Sequence, residues 1–400
     1  MTDTQLLSAA EQFGTPLYVY DQQTIETQYA KLQQAFSKSN TRFFYACKAL
    51  SNINILRIIK EMGAGLDTVS INEVQLGLKA GFEPQQILFT PNCVHFLEIE
   101  EAMRLGVHIN LDNISTLEQF GNKYGNTYPV MLRLNPHIMA GGNFKISTGH
   151  IDSKFGISIH QIRHIERIVS RTQIQVEGLH MHTGSEIKDV EVFLQGLEVM
   201  LDMVDHFPQV KYLDLGSGFK VPYTASEKGT NILSLGEKLA ERIHHFELEH
   251  NHPLEIWFEP GKYLVSESGS FVVSVNVIKQ TPATVFAGVN SGFNHLIRPM
   301  FYDAHHEIHN LSNPDGVERI YTIVGNLCET DTFAWDRFIP EIRENDVLVF
   351  RNAGAYGFEM SSSFNSRNQP AEVLFTGNAF KLIRKRQTLD DLLRNQIWEA

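Results

Sequence analysis

Cysteine is scarce in this chain. Its three thiols, Cys47, Cys93 and Cys328, are scattered over 400 residues, which makes neither a disulfide framework nor a paired metal-ligand spacing and suits a reducing cytoplasm. Positive charge is short as well: 34 basic residues stand against 46 acidic ones, a formal net charge of −12. That balance argues against nucleic acid and anionic membrane as partners. No apolar run approaches the roughly 20 residues of a membrane-spanning helix. The opening segment, Met1 to Gly14, lacks the basic-then-apolar pattern of a secretory signal. Internal repeats and low-complexity tracts are absent. What remains, 42% hydrophobic and 20% charged, is the make-up of a globular protein long enough for one large domain and a smaller one.

After residue 40, short apolar runs alternate with longer amphipathic ones. The runs at 43–47, 65–69, 87–90, 108–111, 130–134, 176–182, 211–215 and 254–258 read as strands. Helical periodicity lies between them, at 52–62, 71–80, 97–105, 115–124, 159–170 and 190–207. Eight repeats of this kind predict a (β/α)8 barrel. The alternative, a doubly wound open sheet, needs fewer strands and a glycine-rich first turn, and that turn holds Lys48 instead. Beyond Gly261, runs at 271–278, 284–289, 319–324, 346–350 and 371–375 lack helical partners and predict a second, β-rich domain. We therefore expect a barrel over residues 22–261, with 1–21 and 262–400 forming the β-rich domain and the run at 16–20 adding a strand to it. The long polar stretch 137–157, with Gly141-Gly142 and Ser147-Thr148-Gly149, reads as a lid.

In such a barrel the chemistry gathers where the strands end. In chain order those ends carry Lys48, Asp67, Asp112, Arg133 with Asn135, His180 with His182, Gly216-Ser217-Gly218, and Glu259. A lysine at the exit of a core strand is either snorkelling to the surface or an amine placed for reaction. An amine, an imidazole, a glycine turn and a carboxylate on one face match the needs of pyridoxal phosphate. Its aldehyde takes a lysine, its phosphate takes backbone N–H groups that glycine lets it approach, and its ring nitrogen takes an acidic partner. Gly216-Ser217-Gly218 alone is only a tight turn, but it follows the seventh strand, where barrels often bind phosphate. Glu259 reads otherwise as a rim carboxylate. His180 and His182, two apart, predict one shared strand face. They leave a zinc hydrolase on the same barrel as a rival reading. Against it, the pair is on the sixth strand and no later strand end adds a histidine, so no metal is expected.

The motifs as a set resemble the diaminopimelate decarboxylase family, within the alanine-racemase-like pyridoxal phosphate enzymes. The resemblance runs from GTPLYVYD at 14–21 to PAEV at 370–373. It includes FFYACKAL at 43–50, GLDTVS at 65–70, ISTGHIDSKFGI at 146–157, GLHMHTGS at 178–185, LDLGSGF at 213–219 and FEPGK at 258–262. In the second half it includes NHLIRPMFYDAHHEI at 294–308, CETDTFA at 328–334 and GAYGFEMSSSFNSR at 354–367.

The resemblance implies that Lys48 binds the cofactor aldehyde and His182 stacks on its ring. It implies that Gly216, Ser217 and Gly218, with Gly261, Tyr356 and Ser185, cradle the phosphate, and that Glu259 pairs with the ring nitrogen. Cys328 would protonate the substrate carbon after carbon dioxide leaves, reaching the site from a partner subunit, so that a homodimer with shared active sites is implied. Arg298 and Tyr302 would hold the distal carboxylate of the substrate and Glu329 its distal ammonium, with Tyr356 and Lys262 also contacting substrate and Lys262 the cofactor as well. An arginine forks onto a carboxylate with two parallel hydrogen bonds, which suits an amino acid whose far end is itself an amino acid.

The activity implied is conversion of meso-2,6-diaminopimelate to L-lysine and carbon dioxide. The alternative is a sister decarboxylase for another basic amino acid or a carboxylated polyamine such as carboxynorspermidine. A racemase needs acid–base groups on both ring faces, and His182 covers one; a non-catalytic relative would tend to lose the lysine or the cysteine, and this chain keeps both. Lys262 departs from the family's usual arginine and cannot grip an anion in two places. Ser217 replaces a usual glycine, Phe358-Glu359 sits where smaller residues are common, and Asn368-Gln369 lacks a usual arginine.

Overall fold

The computed structural model describes residues 1–138 and 153–398. Most of the stretch expected as a lid, including 141–142, 147–149 and the first part of the motif at 146–157, lies outside the described residues.

Two units make up the chain. One comprises Gln28–Val221 and Lys228–Tyr263; the other comprises Met1–Thr27, Pro222–Glu227 and Leu264–Ala400. The first is a closed barrel of eight parallel strands: β1 Thr41–Ala46, β2 Gly65–Thr68, β3 Ile87–Phe89, β4 His108–Leu111, β5 Val130–Asn135, β6 Val176–His180, β7 Tyr212–Asp214 and β8 Glu255–Phe258. Each pairs with its neighbour, and β8 closes on β1 through Phe258 and Phe43. The strands read as unbroken apolar runs because both faces are covered; every residue of β2 and of β5 is buried. Inside, Phe44, Leu88, Met131 and Trp257 form one cluster with Tyr212 against it, the Phe44 and Trp257 rings 4.5 Å apart. Filling the interior stabilises the unit by roughly 1.5–3 kcal/mol for each large side chain. It also makes the barrel a packed core with its polar groups pushed to the strand ends.

The connecting helices begin on side-chain caps. Ser70 Oγ accepts from the Glu73 backbone at the start of Ile71–Ala80, and Glu73 in turn accepts from Val69 N at 2.7 Å. Asn113 caps Ile114–Tyr124 and Asp189 caps Val190–Val204 in the same manner. Each cap fixes where the chain leaves a barrel strand end.

The second unit is a nine-stranded mixed sheet. Gly269–Gln280 lies between Leu17–Asp21 and Val285–Val289, and Leu17–Asp21 is antiparallel to it but parallel to Ala371–Phe375. The early strand therefore joins the β-rich unit, as its sequence suggested. Pro222–Glu227, expected within the barrel, belongs to this unit instead. At one sheet edge, Glu318–Val324 and Thr332–Pro340 form an antiparallel pair whose connection carries Cys328 and Glu329. No helix among the described residues is long and apolar enough to cross a membrane.

Candidate active site

Lys48 sits in a single helical turn, Cys47–Ala49, directly after β1. Its side chain is 41% exposed, yet Nζ reaches Asp67 Oδ2 at 2.8 Å, and Asp67 is almost wholly buried at the end of β2. Burial pushes the Asp67 carboxyl up, Glu259 adds to this, and Lys48 pulls the other way. Across the strand ends, Glu259 follows β8 with 7% exposure, and His180 Nε2 is 3.4 Å from its Oε2. Thr90 Oγ1 also faces Glu259 Oε1 at 3.4 Å and accepts from Asn110 Nδ2 at 3.0 Å.

Donor atoms of His180, Asp214 and Glu259 all lie within 4.8 Å of one another. Two carboxylates this close cannot both ionise easily in a buried place. Burial and the Glu259 charge push Asp214 well above the usual range, although Gly216 N donates to its Oδ1 at 2.9 Å. Burial also acts to raise Glu259, but His180, Lys48 and His182 outweigh it and hold that carboxyl well below the usual range. The two shifts run in opposite directions, so of this pair Asp214 is the one that favours a proton and Glu259 the one that favours the charge.

His182 is not on the strand that presents His180. β6 ends at His180, which is fully buried against Glu259, and the chain has already left the sheet at His182. This corrects the expectation that the two imidazoles share one strand face. Burial pushes the His182 pKa down to about 3, with Arg133 acting in the same direction. Ser217 N points at its Nδ1 from 3.4 Å, so the ring is neutral and accepts there.

The turn after β7 needs its glycines. Gly216 and Gly218 have φ of +63° and +87°. A Cβ on Gly216 would lie 2.6 Å from His182 Nδ1, and one on Gly218 would lie 2.2 Å from the Gly184 carbonyl oxygen. Ile187 N donates to Gly218 O at 2.8 Å, strapping the 184–187 segment to this turn. In that segment Ser185 Oγ is enclosed with no partner, an expensive state for a hydroxyl that no ligand ever meets. Ser217, between the two glycines of that turn, is 5% exposed. Gly261 lets the chain pass Ala46 and Ala49, whose Cβ atoms are 3.0 and 3.2 Å from where its own would be. Lys262 is ion-paired to Glu186, Nζ to Oε1 at 3.0 Å, and Glu186 holds a left-handed φ of +67°.

The β-rich unit carries a second group of side chains. Arg298 and Tyr302 begin and end one helical turn, Arg298–Tyr302. Arg298 is 4% exposed and donates from Nη2 to Tyr223 Oη at 3.1 Å, while its enclosed Nε has no partner. Burial raises the Tyr302 pKa against the pull of Arg298, and Tyr356 is close enough to contribute. Tyr356 is half-buried with a left-handed φ of +57°. Cys328 and Glu329 are exposed. Asn365 grips Cys328 from both ends of its amide: Cys328 N donates to Oδ1 at 3.0 Å and Nδ2 donates to Sγ at 3.2 Å.

Of the residues singled out by sequence, Lys48, His182, Ser185, Gly216, Ser217, Gly218, Glu259, Gly261 and Lys262 belong to the barrel unit. Arg298, Tyr302, Cys328, Glu329 and Tyr356 belong to the β-rich unit. Five side chains with evident electrostatic or positioning work were given no role: Asp67, Asp214, Glu186, Tyr223 and Asn365. Asp67 and Asp214 had a legible signal, a carboxylate closing an apolar run. The other three had none, since their partners are distant in sequence.

The donor set suits pyridoxal phosphate. An amine, a carboxylate held towards its charged form in a buried network, a neutral flat ring and an enclosed hydroxyl beside a glycine turn are the kinds of group that its aldehyde, ring nitrogen, ring face and phosphate require. The model of the pyridoxal binding domain of pyridoxal-dependent decarboxylases matches residues 22–266. The diaminopimelate decarboxylase of Methanothermobacter thermautotrophicus is 38% identical, covering 97% of this chain and 92% of its own. That of Pseudomonas aeruginosa is 35% identical, covering 96% and 93%. Among solved structures, the diaminopimelate decarboxylase of M. jannaschii in co-complex with L-lysine matches with a TM-score of 0.89 at 29% identity, over 98% of this chain and 94% of that one.

Proposed function

This chain belongs to the diaminopimelate decarboxylase family of pyridoxal-dependent decarboxylases, and from that premise we propose that it converts meso-2,6-diaminopimelate to L-lysine and carbon dioxide with bound pyridoxal phosphate. The observation that carries the substrate choice is Arg298. A guanidinium that is 4% exposed, whose Nη2 bonds a neutral hydroxyl and whose Nε bonds nothing, is suited to an incoming carboxylate. A simple diamine-forming substrate such as ornithine has no distal carboxylate to offer it.

Pyridoxal phosphate supplies an electron sink for the bond to the departing carboxylate once its ring nitrogen is protonated. The chain's own groups do the rest. Lys48 holds the cofactor through its amine, with Asp67 orienting that amine. Glu259, kept anionic by His180 and Lys48, holds the proton of the ring nitrogen. Neutral His182 covers one ring face without adding a competing charge. Ser185, Tyr356 and the turn Gly216-Ser217-Gly218 take the phosphate, with Gly261 leaving the space and Lys262 adding positive charge. Arg298 and Tyr302 hold the distal carboxylate and Glu329 the distal ammonium. Cys328 Sγ, held by Asn365, delivers a proton to the substrate carbon.

The substrate test is carbon dioxide release from a panel of amino acids by purified, cofactor-loaded protein. Release from meso-diaminopimelate is expected to exceed that from L-ornithine, L-arginine and carboxynorspermidine by about a hundredfold or more. Preference for any of those three sinks the substrate assignment.

The assembly is a cytoplasmic homodimer in which Cys328 and Glu329 serve the partner's site. In its support, the Cys328 hairpin exposes Ile320 and Phe338, directly opposite one another, at 49% and 69%, and Trp335 at 61%. Aromatic side chains left in water on a sheet edge suit a second copy of this chain as cover. Cys328→Ala should slow turnover by about a hundredfold or more. Mixing it with Lys48→Ala and allowing exchange of subunits should then restore roughly one quarter of wild-type activity, since half the dimers are mixed and each has one intact site. A mixture no more active than its parents rules out shared sites.

A further inference from the structure

We propose that Tyr223 is a positioning residue for Arg298, setting the guanidinium so that the enzyme discriminates ligands with a carboxylate at their far end from those without one. The inference rests on the reading of Arg298 just given. Tyr223 lies in Pro222–Glu227, a six-residue excursion that barrel residues flank on both sides in sequence but that belongs to the β-rich unit. It is 8% exposed, and Arg298 Cζ is 5.4 Å from the centre of its ring. The phenol oxygen accepts from Arg298 Nη2 at 3.1 Å.

The direction of that bond is set one link further on. Ser266, fully buried, donates its only hydroxyl proton to Asn352 O at 3.3 Å. Its oxygen is then an acceptor for the Tyr223 hydroxyl, 3.1 Å away. The tyrosine proton therefore points towards Ser266, and a lone pair is left for Arg298. The ring is fixed as well as the oxygen. His306 meets it edge-on at 5.6 Å and 89°, and His306 is itself bonded to Arg351 O at 2.8 Å. Tyr223 N donates to Glu227 Oε2 at 2.9 Å, and Asn352 Nδ2 donates to Pro222 O at 2.8 Å.

The chemical identity of the partner matters more than its presence. A carboxylate in the place of Tyr223 would satisfy the same N–H but cancel the charge. A phenol orients the guanidinium, stabilises it through the ring face, and leaves the cation unneutralised with Nε still to donate. Such an arrangement costs free energy in the absence of a ligand and returns it when an anion arrives.

The experiment measures inhibition of the cofactor-loaded enzyme by L-lysine and by cadaverine, which is L-lysine without its carboxylate. It compares wild type with Tyr223→Phe, Ser266→Ala and Arg298→Met, with thermal unfolding followed in parallel. Tyr223→Phe keeps the ring and deletes the acceptor. Inhibition by L-lysine should weaken about tenfold, inhibition by cadaverine should stay within about twofold, and KM for meso-diaminopimelate should rise with kcat little altered. Ser266→Ala should shift the L-lysine constant in the same direction by a smaller factor. If Tyr223→Phe weakens both inhibitors equally or neither, while Arg298→Met selectively loses L-lysine, the proposal is overturned. If Arg298→Met treats the two inhibitors alike, the carboxylate reading of Arg298 falls and the role of Tyr223 falls with it.

Discussion

Lys48→Ala is expected to lower carbon dioxide release by on the order of ten-thousandfold or more, with the protein still folded. The fold should survive because the side chain is 41% exposed and buries little. Its partner Asp67 is left behind, but burial and Glu259 already push that carboxyl up, so it can take a proton instead of remaining as an unpaired buried charge. What disappears is the amine directly after the first barrel strand, the one given to the cofactor aldehyde. Borohydride treatment of the wild type, followed by peptide mapping, should find the cofactor fixed to residue 48. Recovery of the adduct on another side chain, or activity within about a hundredfold of wild type in the variant, would remove Lys48 from its assigned place.

Glu259→Gln should be the next most damaging change, lowering kcat by about a hundred- to a thousandfold. Glutamine keeps the size and can still accept from Thr90, so the loss isolates the negative charge. The companion variant is Asp214→Asn. Because burial and the Glu259 charge push Asp214 towards its neutral form, replacing it with a neutral amide that retains an acceptor for Gly216 N should cost less than about tenfold. Cofactor affinity, followed by quenching of protein fluorescence, should change far less than kcat in both. Equal losses in the two variants would mean that the charge is shared, not held at Glu259.

The barrel was legible because parallel strands covered on both faces are written as continuous apolar runs, and Val130–Asn135 is the clearest of them. Strand ends then locate Lys48 and Glu259 with no knowledge of what lies across from them. The same logic misplaced His182. Spacing by two implies a common face only while the chain remains extended, and β6 stops at His180. The upward shift of Asp214 was not legible either, since it follows from burial and from the charge of Glu259, which follows a different strand. Tyr223 and Asn365 act on partners 75 and 37 residues away, and nothing local marks them. The helix Asp3–Phe13 had a signal that composition passes over: Thr2 and Gln5 form a reciprocal capping box. Lys262, doubtful as a one-point substitute for arginine, gains an anchor in Glu186 that only the folded chain reveals.

The path of the backbone between the two units limits how such an enzyme can evolve. The chain starts in the β-rich unit, enters the barrel, returns for Pro222–Glu227, goes back, and finishes where it began. No single cut separates one module from the other, so neither can be swapped by fusing genes end to end. New specificity must come from substitutions inside an inherited whole, and the six-residue return that carries Tyr223 is a short stretch where few of them would suffice.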